Sequence, residues 1–466
     1  MTLSRFPSFL LAASCALAPS FAFAAPSDGG APAARNILFF LGDGMGPTTI
    51  TAARIYRYKE EGFLNFERMP YSARIKTYSN DAQTTDSAPS MGAYMTGIKI
   101  NNDVISMADA KPFGPKKDAN GNATVDACPA GNGSAAATIL ELAKAAGKSV
   151  GSITTTELTH ATPASTFSHV CDRDMAYQIA AQVVPGGAGY NPALKDGVDV
   201  LMGGGRNHFT PFDAARNPAG RADGRDMMAE FAAQGYTVAA NAQQMQAAPG
   251  GKKFVGIYSD AGHLDYALAR RAGQPALAQM TSKAIDLLAS NPKGFFLMVE
   301  GGKIDHALHD TNVKNALAET VGFDDAIKTA LEKMEALDPG LRNTLLVVTA
   351  DHDHTIVMNG YAKRGNPILD LVRNVDDGAP TRDADGKTFT TLVFGNGPNR
   401  PNQRADVDSA AAQADTYHQE TGVRLKGETH GGGDVKLFAT GAGAGVFRGT
   451  MENTRVFHLM KAAFGF

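Results

Sequence analysis

Asn36-Ile37-Leu38-Phe39-Phe40-Leu41-Gly42-Asp43-Gly44 is an unbroken apolar run closed by a carboxylate between two glycines. A run that does not alternate reads as a strand buried on both faces. The glycines permit a sharp turn that would present Asp43 at the strand's carboxyl end. Helical periodicity follows to about Lys59, and the alternation continues along the chain. Strand-like runs lie at Ser149 to Thr154, Val198 to Met202, Phe295 to Val299 and Leu345 to Thr349, with helical patterns at Ala135 to Ala145, Pro275 to Ala289 and Val313 to Leu337. This order predicts an α/β fold, a three-layer sandwich with a central, mostly parallel sheet flanked by helices. Two stretches rich in turn residues, about 103–134 and 361–425, interrupt it, the second with one strand at Thr388 to Phe394. Both are expected to be surface excursions.

The 466 residues suffice to bury a large core. With 44 Lys+Arg against 47 Asp+Glu and a net charge of -3, nothing points to nucleic acid or an anionic membrane as partner. Any anion recognition must therefore be local. The first residues read as an export signal: Arg5, the apolar stretch Phe6 to Leu17, and Ala22-Phe23-Ala24 as a small-x-small cleavage site. Residues 1–24 are thus expected to be removed, leaving 25–466 as one catalytic domain in the periplasm or outside the cell. The alternative, a lipoprotein anchored through Cys15, is disfavoured because Ala12 stands where a Leu is expected. No later run is long enough to span a bilayer. Cys128 and Cys171 would then meet an oxidising compartment and are expected to pair; two buried free thiols are the alternative, since sequence does not supply the Cα separation.

Five segments place ligand-type residues just past apolar runs, where open α/β sheets keep their chemistry. They are Leu41-Gly42-Asp43-Gly44-Met45-Gly46, Thr85-Asp86-Ser87-Ala88, Glu300-Gly301-Gly302-Lys303-Ile304-Asp305-His306-Ala307-Leu308-His309, Ala350-Asp351-His352-Asp353-His354 and Glu428-Thr429-His430. Taken alone, Gly42-Asp43-Gly44 is a plain turn, and Asp86 or Ser87 is an ordinary helix N-cap. Asp305 and His309, however, are spaced to share one helical face, and Asp351-His352 emerges directly from a strand with His354 behind it. A satisfied core histidine explains one such residue but not four clustered ones. Carboxylates, imidazoles and an exposed Ser87 hydroxyl, without thiolates, form the ligand set of a paired zinc site acting on phosphate esters. Two other motifs are set aside: Asp118-Ala119-Asn120-Gly121-Asn122 lacks the glycine and glutamate of a calcium loop, and Gly203-Gly204-Gly205-Arg206 lacks the Lys-Ser/Thr of a phosphate loop.

With these residues laid out, the chain resembles alkaline phosphatases from about Asn36 to the last helix near Phe464. The likeness also covers Ile50-Thr51-Ala52-Ala53-Arg54, Ala145-Ala146-Gly147-Lys148-Ser149-Val150-Gly151, Thr159-His160-Ala161-Thr162-Pro163-Ala164 and Phe323-Asp324-Asp325-Ala326. The resemblance implies hydrolysis of phosphate monoesters through a phosphoserine at Ser87. It implies two Zn²⁺, one held by Asp305, His309 and His430 and one by Asp43, Asp351 and His352, and a Mg²⁺ held by Asp43, Thr162 and Glu300. Arg173 falls where the family clamps two phosphate oxygens, Asp86 flanks the nucleophile, and His354 would orient a ligand. His160 and His306 are histidines where the enteric bacterial form carries Asp and Lys, a pairing similar to animal members, which leaves the third ion either magnesium or zinc. The acidic ligands of the animal calcium site are missing around Tyr258-Ser259 and Gln274. Family members are commonly homodimers, but no interface signature is visible here.

Three rivals remain. Arg173 argues against a phosphodiesterase or nucleotide pyrophosphatase of the same superfamily, because a guanidinium on two free oxygens favours a monoester. A sulfatase lacks its Cys/Ser-x-Pro-x-Arg motif here. A non-catalytic phosphate or zinc binder would need no nucleophile at Ser87.

Overall fold

Phe39 and Phe40 show how the layers are arranged. Successive strand residues point to opposite faces, and Phe39 meets Tyr94 at 5.5 Å between ring centroids while Phe40 meets Phe323 edge-on at 6.0 Å. Tyr94 lies on one helix, Ser87–Thr96, and Phe323 on another, Val313–Leu337, so the strand carries a helix on each face. The computed structural model describes residues 34–115 and 127–466. The export signal, its cleavage site, Cys15 and Asp118-Ala119-Asn120-Gly121-Asn122 lie outside the described residues.

Among the described residues, ten strands form the main sheet: β1 Asn36–Gly42, β2 Tyr71–Lys76, β3 Ser149–Glu157, β4 Val200–Gly204, β5 Thr237–Ala239, β6 Phe254–Ile257, β7 Phe295–Gly301, β8 Thr344–Thr349, β9 Val435–Gly441 and β10 Gly449–Glu452. Their spatial order is β10-β2-β9-β8-β1-β7-β3-β4-β6-β5. Only β9 runs against its neighbours β8 and β2; every other pairing is parallel, including β8, β1, β7 and β3 side by side. β1, β7 and β8 are buried at every residue, as expected for parallel strands covered on both faces. The α/β, mostly parallel architecture read from the sequence is therefore the one observed.

Three element boundaries differ from expectation. The helix expected from Ala135 begins at Ile139, because Thr138 caps it: the Glu141 amide donates to Thr138 Oγ1 at 3.1 Å and the Thr138 amide to Glu141 Oε2 at 2.8 Å. Thr138-x-x-Glu141 is a capping box. The strand expected over Thr388 to Phe394 runs over Leu392–Gly397, while Thr388 and Thr390 form only isolated bridges. Residues 103–110, read as the start of a surface excursion, bury Val104, Ile105 and Ser106 completely, and residues 361–425 bury Leu369, Leu371 and Val372. Among the described residues, no helix is long and apolar enough to cross a membrane.

Candidate active site and metal centre

The carboxyl ends of the four adjacent parallel strands β8, β1, β7 and β3 deliver Asp351, Asp43, Glu300 and the turn leading to His160. A short helix, Lys303–His309, follows β7 and carries Asp305, His306 and His309. Ser87 opens the helix Ser87–Thr96 behind its cap Asp86, whose Oδ1 accepts from the Ala88 amide at 2.6 Å. The cap reading of this motif is met by Asp86, which leaves Ser87 as the first helical residue. One expectation fails: Ser87 is not exposed but 2 % accessible. Its Oγ lies 3.4 Å from Asp43 Oδ1 and 3.3 Å from His352 Nε2, because the strand ends close over the helix start.

Imidazole nitrogens converge on Asp305. His354, His309, His430 and His352 place Nε2 at 2.8, 3.3, 3.4 and 3.9 Å from Asp305 Oδ1. The outer nitrogens of two of them face carbonyls: His309 Nδ1 lies 2.7 Å from Glu428 O, and His430 Nδ1 lies 2.9 Å from Thr85 O. A carbonyl only accepts, so each Nδ1 carries a proton and each Nε2 is turned toward the other ring. These two Nε2 atoms face one another at 3.0 Å, an arrangement that calls for positive charge between them. His354 is different. Its Nδ1 lies 2.7 Å from Glu428 Oε2 and its Nε2 2.8 Å from Asp305 Oδ1, so both nitrogens donate to carboxylates.

The electrostatics agree. Burial opposes a charge on His309, yet Asp305 and Glu428 push it up to about 11. The same partners raise His354 to about 8 against burial. Burial tends to raise Asp305 too, but His309, His354 and His430 hold it well below the carboxylate range. On the other side of Asp305, His352 lies 3.2 Å from Asp43 and 3.4 Å from Asp351, but burial, followed by His430, holds this imidazole well below its ordinary value. Burial, followed by Asp351, Asp305 and Glu300, pushes Asp43 well up, and burial pushes Glu300 up to about 7.

Whether these residues fit metal ions is decided by their unpaired atoms. Among the described residues, Asp43 Oδ2, Asp351 Oδ2, Glu300 Oε1 and Thr162 Oγ1 are buried without a hydrogen-bond partner, a costly condition for carboxylates unless a cation takes the place of the missing donors. Asp43, Asp351 and His352 offer ligand atoms all within 4.8 Å of one another, as do Asp305, His352, His354 and His430, and Asp43, His160 and Glu300. The donor set is oxygen and imidazole without thiolate, and it fits divalent ions.

Arg173 reaches the same space from the loop after the helix Ala161–Phe167. Its Nη1 donates to Asp86 Oδ1 at 3.2 Å and its Nη2 to His160 Nε2 at 3.1 Å. His160 and His306 stand together, ring centroids 5.5 Å apart. Cys128 and Cys171 form a disulfide with Cα atoms 5.8 Å apart.

Three features were not anticipated from the sequence. Glu428, quoted above within its segment, accepts from His354 and from the amide and hydroxyl of Thr355; its place next to His430 was the available signal. Thr154 and Thr156 on β3 donate to Glu300. His263 packs 4.1 Å from His306, centroid to centroid, and its Gly262-His263-Leu264 context carries no local signal.

The family described as alkaline phosphatase matches residues 34–466. The tissue-nonspecific alkaline phosphatase of Gallus gallus is 34% identical over 462 residues, 92% of this chain and 84% of its own. An alkaline phosphatase of Gadus morhua is likewise 34% identical, over 92% of this chain and 91% of its own. Among solved structures, Thermus thermophilus alkaline phosphatase superposes with a TM-score of 0.67 at 25% identity, covering 97% of this chain and 96% of that one. The enzyme from the Antarctic bacterium TAB5, at 22% identity, shares the fold with a TM-score of 0.64 over 94% and 99%; a histidine-to-aspartate variant of it holds magnesium in its M3 site. On matches of this length and depth, the chain belongs to the alkaline phosphatase family and is a metal-binding hydrolase of phosphate monoesters.

Proposed function

We propose that hydrolysis proceeds through a phosphoserine at Ser87 with two zinc ions and one magnesium ion. Asp305, His309 and His430 would hold one zinc, and Asp43, Asp351 and His352 the other, beside Ser87. Asp43, Thr162 and Glu300 would hold magnesium, with zinc as the alternative given His160 nearby. When bound, the ions would lower the pKa of the Ser87 hydroxyl and neutralise charge on the departing oxygen. The unpaired oxygens of Asp43, Asp351, Glu300 and Thr162 are the observation that carries this reading.

The chain's own residues account for the rest. Asp43 and His352 fix the position of Ser87 Oγ, which attacks phosphorus as the ester P–O bond breaks and the alcohol leaves with a proton. Arg173 exchanges Asp86 and His160 for two phosphate oxygens, a bidentate geometry that a planar guanidinium supports. Water then attacks the phosphoserine, releasing inorganic phosphate and restoring Ser87. Residues 1–24 as an export signal, 25–466 as one catalytic domain and a homodimeric assembly belong to the same proposal; the Cys128–Cys171 bridge supports export to an oxidising compartment.

The test is a quenched reaction with labelled monoester. Label should be recovered on the peptide containing Ser87, and Ser87→Ala should be inactive. Label on another residue overturns the assignment. Metal analysis of the purified protein should return zinc and magnesium.

A further inference from the structure

The Cys128–Cys171 disulfide lies two residues before Arg173. The backbone of the Arg173 loop is tied at three points to the 103–113 segment: Val170 pairs with Ile105, the Cys171 carbonyl accepts from the Phe113 amide at 3.2 Å, and the Arg173 amide donates to the Asp103 carbonyl at 2.7 Å. The loop is also crowded with like charge. Asp103 is raised first by burial and then by Asp86 and Asp172, and Asp172 is raised by burial and by Asp174 and Asp86, with Arg173 as the cation among them. When Arg173 turns from Asp86 toward a phosphate, that local compensation weakens and the carboxylates repel one another.

The disulfide opposes that loosening. Cys171 is fully buried, the Cys171 amide donates to Cys128 Sγ at 2.8 Å, and both sulfurs lie 3.9 Å from Met175 Sδ. The bridge therefore fixes the backbone two residues before Arg173 and packs against the Met175 side chain two residues after it. We infer that Cys128 and Cys171 are positioning residues for the phosphate clamp: their bond holds the Arg173 loop where the guanidinium reaches the phosphoryl oxygens. This rests on the proposed role of Arg173 and extends it to the covalent frame of its loop.

The test reads phosphate affinity. Tris(2-carboxyethyl)phosphine, which carries no thiol to strip zinc, reduces the bridge in the folded protein, two electrons converting it to two thiols while the phosphine takes an oxygen from water and becomes its oxide; oxidised glutathione then re-forms the bond. The Cys128→Ser, Cys171→Ser double variant serves as a second route, and Arg173→Ala is measured alongside. Reduction should weaken competitive inhibition by inorganic phosphate and raise KM, each by about tenfold, with kcat changed less than about twofold, and re-oxidation should restore both constants. A merely structural bridge would lower Tm and leave these constants unchanged at 25 °C, and that result overturns the inference. If Arg173→Ala weakens phosphate binding but loss of the bridge does not, the inference alone falls. If Arg173→Ala leaves phosphate binding unchanged, the clamp itself is wrong and the inference falls with it.

Discussion

His309, His354 and His430 stand around Asp305, whereas His160, His263 and His306 stand around one another. Asp305 and His306 are consecutive on one short helix, yet they face opposite surroundings, since successive helical residues point about 100° apart. In the first group Asp305 and Glu428 outweigh burial and drive His309 to about 11 and His354 to about 8. In the second, burial leads, and like-charged neighbours add to it. His160 is held well below its ordinary value by burial, then Arg173, His306 and His263. His306 falls to about 4 because burial, with Lys303 adding to it, outweighs Asp305, and His263 falls to about 3 through burial, His306 and Lys303. An imidazole ringed by carboxylates marks a place built for cations; one beside Arg173 and Lys303 marks a place where a cation is held less firmly.

The largest expected effect removes the cations altogether. Exhaustive chelation should lower activity by about a thousandfold or more, the loss of several kcal/mol of transition-state stabilisation. It should also lower Tm, because ligands from Asp43 to His430 are cross-linked only in the folded chain. Zinc should restore turnover and magnesium should add to it. Full activity after chelation, with metal analysis showing the protein empty, breaks the contrast between the two groups.

Next in size is Asp305→Asn. The isosteric amide keeps the shape but removes the charge that gathers four imidazoles, so zinc content should fall and kcat/KM should drop by about a hundredfold or more. A variant with unchanged zinc content would show that the imidazoles, not the carboxylate, define the site.

The contrast also explains what could be read from the sequence and what could not. β1, β7 and β8 were legible because an unbroken apolar run has one physical meaning in a parallel sheet. Val313–Leu337 has the predicted bounds, since helical period and an Asn312 cap agree. Asp305 and His309 were legible because their spacing is local. The histidine partners are not: Glu428 meets His354 across 74 residues, and His263 meets Glu157 across 106. Nor does residue type reveal sign, since His306 and His309 look alike in the sequence and titrate in opposite directions.

A smaller effect is expected from His160→Asp with His306→Lys. The third site faces Arg173 and has imidazole where a carboxylate could gather a hard cation or its water. The purified enzyme should be submaximally active and stimulated by millimolar magnesium. The double variant should need less added magnesium, reducing the stimulation by about two- to fivefold, while Lys strengthens phosphate inhibition. If magnesium response and phosphate inhibition both stay as they were, these histidines are packing residues.

The smallest effect tests the same rule away from the site, at His169. Its Nδ1 lies 2.8 Å from Ser106 O and its Nε2 2.8 Å from Glu141 Oε1, so both nitrogens face acceptors and the ring needs both protons, like His354. Burial opposes the charge, but Glu141 outweighs it and raises His169 above its ordinary 6.5. Burial likewise tends to raise Glu141, but His169, the Thr138 amide and Asn191 lower it below 4.5. The His169 contribution is therefore complete below pH 6.5 and is lost as pH rises through its higher folded value. The Glu141 contribution is present above pH 4.5 and is lost as pH falls through its lower folded value. Glu141→Gln with its oxygen toward the Thr138 amide keeps the capping box; it removes the charge and also the oxygen that accepts from Asn191 Nδ2 at 2.6 Å. At pH 6 it should cost about 1–2 kcal/mol, lowering Tm by a few degrees. At pH 9 the deficit should shrink to the part left by the lost Asn191 bond, because the glutamine amide donates to the bare Nε2 of a neutral ring. A deficit that is the same at both pH values would mean that shape, not charge, holds this pair.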